Sequence, residues 1–495
     1  MYYYIGYDLG SSSVKAALID AKTGRSAGVT NYPEKEMAIL ALETGWAEQD
    51  PEIWWKNIGK VTQKLLKQTG ILSNKIKGIG IAYQMHGLVI VDENHKVLRP
   101  SIIWCDSRAV SIGNEAFIGV GKDKCVANLL NSPGNFTLSK LKWVKENEPE
   151  TFKKIHKLLL PGDFIALRLT GEATTTISGL SEGMMWDFKE NKPAEWLFDY
   201  MGINTDLIPT ILPTFFNQGR VSKQAAEETG LPQGIPVLYR AGDQPNNALS
   251  LNVLHPGEIA ATGGTSGVVY AVTDKTDSKE SIRINNFAHV NYTEKTPRIG
   301  KLLNINGAGI QYSWMKNNLA PTDSYNDMNE LASQVPVGSD GLRIVPFGNG
   351  AERMLNNANN GAAILNLNFN KHKKEHLYRA ALEGIAFAFV YGIDILKNDG
   401  VNLSGMKAGN DNLFRSEIFS KTIATLIQTE INIIDTTGAI GAARAAGVAN
   451  KDFKTLEEAF SDNEQVLTYH PLSNKEVYEN AYKLWKNDLE NKYNN

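Results

Sequence analysis

A strand, glycine-and-hydroxyl turn, strand unit occurs once in each half of the chain, and it constrains the fold more than any other feature. In the first copy, Tyr3 to Asp8 is rich in β-forming residues, Gly10-Ser11-Ser12-Ser13 is turn chemistry, and Val14 to Asp20 is apolar and extended. In the second, Glu258 to Ala261 leads through Gly263-Gly264-Thr265-Ser266-Gly267 into Val268 to Val272. Such an echo predicts two similar halves. The 495 residues leave room for about two to four domains. No low-complexity linker marks a border, so the pattern alone places it near 248–256, giving domains 1–250 and 251–495.

Other elements follow from periodicity and punctuation. A turn at Lys22-Thr23-Gly24 predicts a third antiparallel strand ending near Tyr32-Pro33. Trp54, Ile58, Val61 and Leu65 fall at helical spacing over Trp54 to Gln68. Lys77 to Tyr83 and Leu88 to Asp92 read as short strands, Leu138 to Glu146 and Lys153 to Leu159 as helices. Pro236 to Arg240 reads as a strand, Gly242-Asp243 as a turn and Gln244 to Asn252 as a helix. Helices are expected at Glu375 to Asn398 and Ser416 to Gln428. Gly438 to Ala449 is a small-residue helix suited to close packing, and the tail from Lys475 is polar and helical.

Composition narrows the function. Fifty-one Lys and Arg against 54 Asp and Glu give a formal charge of −3, which argues against a broad nucleic-acid-binding face or a polybasic membrane anchor. The two cysteines, Cys105 and Cys125, are too few for a disulfide framework and lack metal-ligand spacing. The start, MYYYIGYDLG, has no signal-peptide pattern, and no run of about 18 apolar residues occurs, so a cytoplasmic protein is expected. The phosphate loop GxxxxGK[ST] and the dinucleotide pattern GxGxxG are both absent. Gly179-Leu180-Ser181-Glu182-Gly183 fits a nucleophile elbow, but MMWDFKENKP after it does not form the required helix. His372 to His376 fits HxxEH, yet it opens a lysine-rich helix whose histidines belong on a solvated face.

Other residues carry phosphate chemistry. In Asp8-Leu9-Gly10-Ser11-Ser12-Ser13, the turn frees backbone N–H groups for phosphate oxygens, and a strand-end carboxylate can hold magnesium against them. Alone, the segment reads equally as a plain hairpin. The second turn, around Gly264 and Thr265, could clamp the same polyphosphate from the other side. Asp243, at a strand end before a helix, is placed to take a proton from an attacking hydroxyl, or simply to cap the helix.

With these residues in view, the chain resembles the FGGY-type carbohydrate kinases of the actin-like ATPase superfamily over roughly residues 3 to 450. The resemblance rests on DLGSSSVK, on Gly45 to Trp55 (GWAEQDPEIWW), and on Trp104-Cys105-Asp106-Ser107-Arg108 as WxDxR. Two longer stretches extend it: Phe136 to Asn147, where Asn135 replaces a usual glycine, and Gly361 to Glu383, where Asn366 does. Gln84-Met85-His86-Gly87 is the QMHG of the xylulokinase branch, whereas Gln244 after Asp243 is the glycerol kinase choice.

The resemblance implies an α/β protein of two actin-like ATPase (ribonuclease H-like) domains, mixed sheets flanked by helices around a cleft. It implies ATP and Mg2+ as cofactors, and transfer of the γ-phosphoryl to the 5-hydroxyl of D-xylulose. Asp8 would help hold the metal, with Gly10, Ser11, Ser12, Gly264 and Thr265 on the phosphates. Gly307, Gln311, Gly409 and Asn410 would lie on the nucleotide side, although Ala408 and Asn410 depart from the family's adenosine turn. Asp243 would be the base, with Gln84, Met85, His86, Asp106, Arg108 and Gln244 on the sugar. A sugar pocket needs fixed donors and acceptors over an apolar wall, and Trp104 and Trp46 are large enough to supply one. L-ribulose, L-fuculose, gluconate and glycerol stay as alternative substrates. A non-catalytic sugar or nucleotide sensor on the same fold is the reading from another class. A homodimer is left open.

Overall fold

Residues Tyr3–Leu9 (β1) and Val14–Asp20 (β2) pair antiparallel, with Leu9 opposite Val14 and Asp8 opposite Lys15. The hairpin is closed by the Gly10 N–H donating to the Ser13 carbonyl at 3.0 Å. Ser26–Tyr32 (β3) extends this meander. The computed structural model describes residues 1–410, 413–461 and 464–493.

Helix α1 (Pro51–Thr69) starts where the Asp50 side chain accepts from the Glu52 N–H and stops at Gly70 in the left-handed region. It buries Trp54, Ile58, Val61 and Leu65, the face expected from their spacing. Strand β4 (Ile76–Tyr83) returns parallel to β1. Two helices of the first half, α2 (Thr137–Asn147) and α3 (Ile177–Glu182), precede β5 (Val237–Gly242), which lies parallel to β4. The sheet order is β5-β4-β1-β2-β3. Helix α4 (Asp243–Ser250) leaves β5 without a break.

The second half repeats this plan. Strands β6 (Glu258–Gly263) and β7 (Gly267–Thr273) form a hairpin with Gly263 opposite Gly267, and β8 (Asn285–Ala288) and β9 (Ile299–Ile305) continue the antiparallel edge. Helices α5 (Gly309–Leu319), α6 (Tyr325–Ser333) and the long α7 (Lys374–Asn398) follow. Next come β10 (Gly405–Gly409), α8 (Glu417–Ile427), β11 (Ile431–Asp435), α9 (Gly438–Ala449), β12 (Glu464–Tyr469) and α10 (Lys475–Tyr493). The order is β8-β9-β7-β6-β10-β11-β12, with β10 and β11 parallel to β6. The run β9-β7-β6-β10-β11 therefore has the plan of β3-β2-β1-β4-β5, which is the repeat expected from the two turns.

The small-residue helix α9 does pack closely, and its neighbour is the first sheet. It lies against β1 and β4 and touches α4. A Cβ on Gly6 would sit 2.0 Å from the Ala439 carbonyl oxygen, and one on Gly80 would sit 1.9 Å from that of Ala442. Only glycine in the strands and small residues on the helix allow this approach, which carries second-half backbone onto the first sheet.

Two local expectations change, and two rejected patterns stay rejected. Lys153 to Leu159 is not one helix: a short helix ends at Phe152, and Lys157–Leu159 is a strand pairing with Val89–Val91. Leu158 and Leu159 bury as strand residues, and short apolar runs do not separate strand from helix by periodicity. Gly242-Asp243 is not a separate turn, since Gly242 ends β5 and Asp243 begins α4. Ser181 lies inside α3 and a strand follows, so the nucleophile-elbow pattern has the wrong context. Among the described residues no group of three or more His, Cys, Asp and Glu is arranged to hold a metal ion, which removes the zinc reading of His372 and His376. No helix among them is long and apolar enough to cross a membrane.

Candidate active site

The parallel strands β1, β4 and β5 end on one rim of the first sheet, and three consecutive stretches leave it there. Asp8 to Ser13 follows from β1, Gln84 to His86 from β4, and Asp243-Gln244 from β5. All three line a cavity of about 710 Å³ between the halves. Its other wall comes from the second half: Thr262, Thr265, Ser266, Asn285, Asn304, Asn306 and Arg353, with Val268 and Leu302 as apolar patches.

The electrostatics of the rim centre on two carboxyls. Burial and the charge of Asp8 push Asp243 up to about 7, partly offset by hydrogen bonds from Gln244. Burial also raises Asp8, against the pull of Lys15 beside it. A Cβ on Gly438 would lie 2.6 Å from Asp8 Oδ2, so the Asp8 carboxyl rests at the N-terminus of α9, where the helix favours negative charge. Behind Asp243, burial and the Asp243 charge hold the Glu182 carboxyl well above the usual range.

His86 sits in the left-handed region at φ 62°. Its Nδ1 lies 3.0 Å from the Glu182 carbonyl oxygen, which can only accept, so Nδ1 carries the proton and Nε2 is left as an acceptor. Burial, helped by the charges of Lys140 and Arg353, pushes its pKa down to about 3, and the ring is neutral at physiological pH. Phe136 meets the ring edge-on at 4.8 Å between centroids, and Phe287 packs at 5.2 Å. Lys140 donates to the His86 carbonyl at 2.8 Å and to that of Ile103 at 3.0 Å.

A second cavity of about 470 Å³ opens on the far side of Thr265 and is lined by Gly264, Gly309, Ile310, Tyr312, Tyr325, Asn329, Arg415 and Ser416, among others. Tyr312 and Tyr325 stack with centroids 5.8 Å apart, and Tyr312 donates to Asn329 Oδ1 at 2.9 Å. The N-terminus of α5 is tied to the turn by Ile310 N–H to the Thr265 carbonyl at 2.9 Å. Thr265 lines both cavities, so the second hydroxyl turn separates one chamber from the other.

Several expected residues stand outside these walls. Asp106 is fully buried and accepts from the Ala47 N–H at 2.6 Å and from Arg108 Nη2 at 2.7 Å. Arg108 stacks over Trp46 at 3.8 Å and pairs with Glu48 at 2.7 Å. Asp106, Arg108 and Trp46 thus form a bracket behind the loop that presents Trp104, which itself lines the first cavity. Asn135 donates to the Asp106 carbonyl and reaches that cavity, where glycine was the expected residue. Gly307 is packed against Pro346, and Gln311 faces a separate apolar cavity on the other side of α5. Gly409 and Asn410 sit one layer behind the second cavity: Arg415 donates from Nη2 to the Asn410 carbonyl at 3.1 Å. The second-half wall of the first cavity went unforeseen except for Thr265, Ser266 and Val268, and for Asn306, which heads the segment expected on the nucleotide side. Asn285 and Asn304 come from antiparallel strands and Arg353 from a short turn of helix, and no motif contains them.

Two chambers of this kind, joined at a hydroxyl turn and faced by paired carboxyls, suit transfer of an anionic group from one bound molecule to a neutral one. Comparison with known proteins gives the class. Residues 3–250 match the N-terminal domain of the FGGY family of carbohydrate kinases, and residues 259–450 match its C-terminal domain. The chain belongs to the FGGY family of carbohydrate kinases. It is 29% identical to the xylulose kinase of Haemophilus influenzae over 99% of this chain and 100% of that protein. It superposes on the crystal structure of xylulose kinase from Rhodospirillum rubrum with a TM-score of 0.89 and 25% identity, covering 100% of both chains. Plasmodium falciparum glycerol kinase with ADP gives the same TM-score at 20% identity, over 99% of this chain and 98% of that one. The fold is the two-domain α/β kinase fold of the actin-like ATPase type, and the protein is an ATP-dependent sugar kinase.

Proposed function

We propose that this kinase phosphorylates D-xylulose on its terminal 5-hydroxyl. The observation that carries the reading is the junction of the two chambers: Asp243 and His86 line the larger one, Tyr312 and Tyr325 the other, and Thr265 belongs to both. In this reading residues 1–250 supply the sugar wall and the base, and residues 251–495 the nucleotide. His86 Nε2 accepts a hydrogen bond from a sugar hydroxyl, Gln84, Met85 and Gln244 complete that wall, and Trp104 covers one face. Asp106 and Arg108 act from behind, by holding the Trp104 loop in place. QMHG and the xylulose kinase relatives favour xylulose, whereas Gln244 and the equal likeness in fold to a glycerol kinase keep a polyol as the competing acceptor.

The 5-hydroxyl oxygen attacks the γ-phosphorus, its proton passes to Asp243, and ADP leaves with the electrons of the broken P–O bond. Two facing carboxyls, both raised by burial, fit a hydrated divalent cation, because the cation would remove their mutual repulsion. Asp8 would hold Mg2+ through water, beside Gly10, Ser11, Ser12, Gly264 and Thr265 on the phosphates. When bound, the ion neutralises phosphate charge. Gly309, Ile310 and Arg415 would contact the nucleotide directly, with Gly307, Gln311, Gly409 and Asn410 shaping the walls behind them. Closure of the cleft keeps water from the base.

The test is ADP release with ATP and magnesium across D-xylulose, L-xylulose, L-ribulose, L-fuculose, gluconate, glycerol and a no-sugar blank. A D-xylulose signal well above all others supports the reading. A stronger signal with another acceptor moves the substrate and keeps the chemistry. Folded protein that binds ATP and stays silent throughout is the result expected of a sensor.

A further inference from the structure

Among the described residues, Arg353 is the cation in the wall of the sugar cavity that no carboxylate pairs with. It lies in a short turn of helix, Arg353–Leu355, entering from the second half. Its Nε donates to the Ile282 carbonyl at 2.6 Å, and no carboxylate pairs with it among the described residues. The adjacent Glu352 carboxylate is engaged elsewhere, accepting from the Asn306 N–H at 3.0 Å. Burial alone moves the guanidinium down to about 10, with no neighbouring charge pulling the other way. Lys15, the other cation of this wall, differs in having Asp8 beside it.

A partly buried cation that faces a cavity without an ionic partner gains from an anion there, and a planar fork of donors suits one with two or more oxygens. A neutral sugar offers none. Arg353 lies within electrostatic reach of His86, on the sugar side, and outside the chamber lined by Tyr312 and Tyr325. The anion it awaits is therefore the phosphoryl group in passage to the acceptor, or one carried by the acceptor itself. We infer that Arg353 binds the phosphoryl group as it arrives on the sugar hydroxyl, holding its non-bridging oxygens in the transition state and in the sugar-phosphate product. This rests on the kinase reading above. A carboxylate on the acceptor itself would present similar chemistry, and the experiment separates the two sources.

The measurement is calorimetric binding of D-xylulose, D-xylulose 5-phosphate and D-gluconate without nucleotide, alongside steady-state kinetics, for the wild type, Arg353→Met and Arg353→Lys. Arg353→Met is expected to lose about 10-fold or more in affinity for the sugar phosphate, the size of a lost hydrogen bond to a charged group. Its kcat is expected to fall by about 10²-fold, as when one donor to a developing oxyanion is removed. Binding of D-xylulose stays within about threefold of wild type, and Arg353→Lys recovers part of both losses. Equal weakening of sugar and sugar phosphate, with no recovery by lysine, would make Arg353 a wall residue and overturn the inference. Tighter wild-type binding of D-gluconate than of D-xylulose, lost in Arg353→Met, would assign the site to the acceptor's carboxylate and overturn it equally. The binding arm needs no turnover, so a wild type that phosphorylates no sugar would sink the kinase reading while still deciding whether Arg353 binds phosphate.

Discussion

Lys140 Nζ donates to the backbone carbonyl of His86 at 2.8 Å, a fully buried ammonium bracing a residue in the left-handed region. The same nitrogen holds the Ile103 carbonyl, so one side chain of α2 ties together the β4 exit and the Trp104 loop. Burial pushes Lys140 down to about 7, against the attraction of Asp106. Its removal leaves two carbonyls without their donor, each worth about 1–3 kcal/mol. Lys140→Met is expected to melt several degrees lower and to raise the KM for sugar about 10-fold while the KM for ATP holds, as read by thermal unfolding and steady-state kinetics. A parallel rise in both KM values would mean that the brace serves the whole cleft.

His86 itself contacts only the sugar in this account. His86→Ala is expected to weaken D-xylulose binding by about 10-fold and to leave ATP binding within about twofold, measured by calorimetry. Equal weakening of both ligands would return His86 to the architecture.

Asp243 gives a pH dependence whose sign can be worked out. Its carboxyl must be ionised to accept a proton, and it titrates near 7 without the metal. The kcat/KM for sugar, taken at limiting magnesium, should rise with pH as one proton is lost around 7 and then level off. Saturating magnesium should move that midpoint lower, because a cation favours the ionised form. A midpoint independent of magnesium would separate Asp243 from the metal.

The same residue trades stability for chemistry. With a folded value raised above the unfolded 3.8, the folded state binds more protons than the unfolded chain between pH 4 and 7, so stability falls as pH rises through that window. Asp243→Asn removes this penalty. Without metal it should melt about 2 °C or more above wild type at pH 8 and level with it near pH 4, by scanning calorimetry. A lower melting point at pH 8 would show that the ionised carboxylate supports the fold.

The close approach of α9 to the first sheet offers a structural test. A methyl group on Gly80 would fall 1.9 Å from the Ala442 carbonyl oxygen. Gly80→Ala should displace α9 from the first sheet and cost about 1–3 kcal/mol, with lower turnover because Asp8 rests at the end of that helix. Wild-type stability in denaturant titration would mean that the helix has room to move.

Much of the fold was legible because its defining unit is local. Each hairpin with its glycine-and-hydroxyl turn is complete within some 20 residues, and its repetition announces two halves. The first-half site was legible for a related reason: Asp8, Gln84 to His86 and Asp243 leave strand ends directly, so the motif and the strand are read together. Asp106 and Arg108 show the limit of this. Their motif is plain, yet whether they face the sugar depends on Glu48, Trp46 and Ala47, which the fold alone brings beneath them. Asn304 and Arg353 were beyond reach, since their role exists only once one half closes over the other. The run 153–159 was misread because Lys157 to Leu159 owes its conformation to a distant partner, Val89–Val91.

Transfer of phosphate to the 5-hydroxyl of D-xylulose, with Asp243 as the base, leaves a product whose ester position and rate of formation can both be read. It is tested most directly by following ATP, magnesium and D-xylulose by phosphorus and carbon NMR, with wild type and Asp243→Asn side by side. Wild type is expected to give a single phosphate ester on carbon 5, and the variant a rate lower by about 10²–10⁴-fold although it still binds the sugar. An ester formed at the wild-type rate by Asp243→Asn, or no ester from a wild type that binds both ligands, would contradict it.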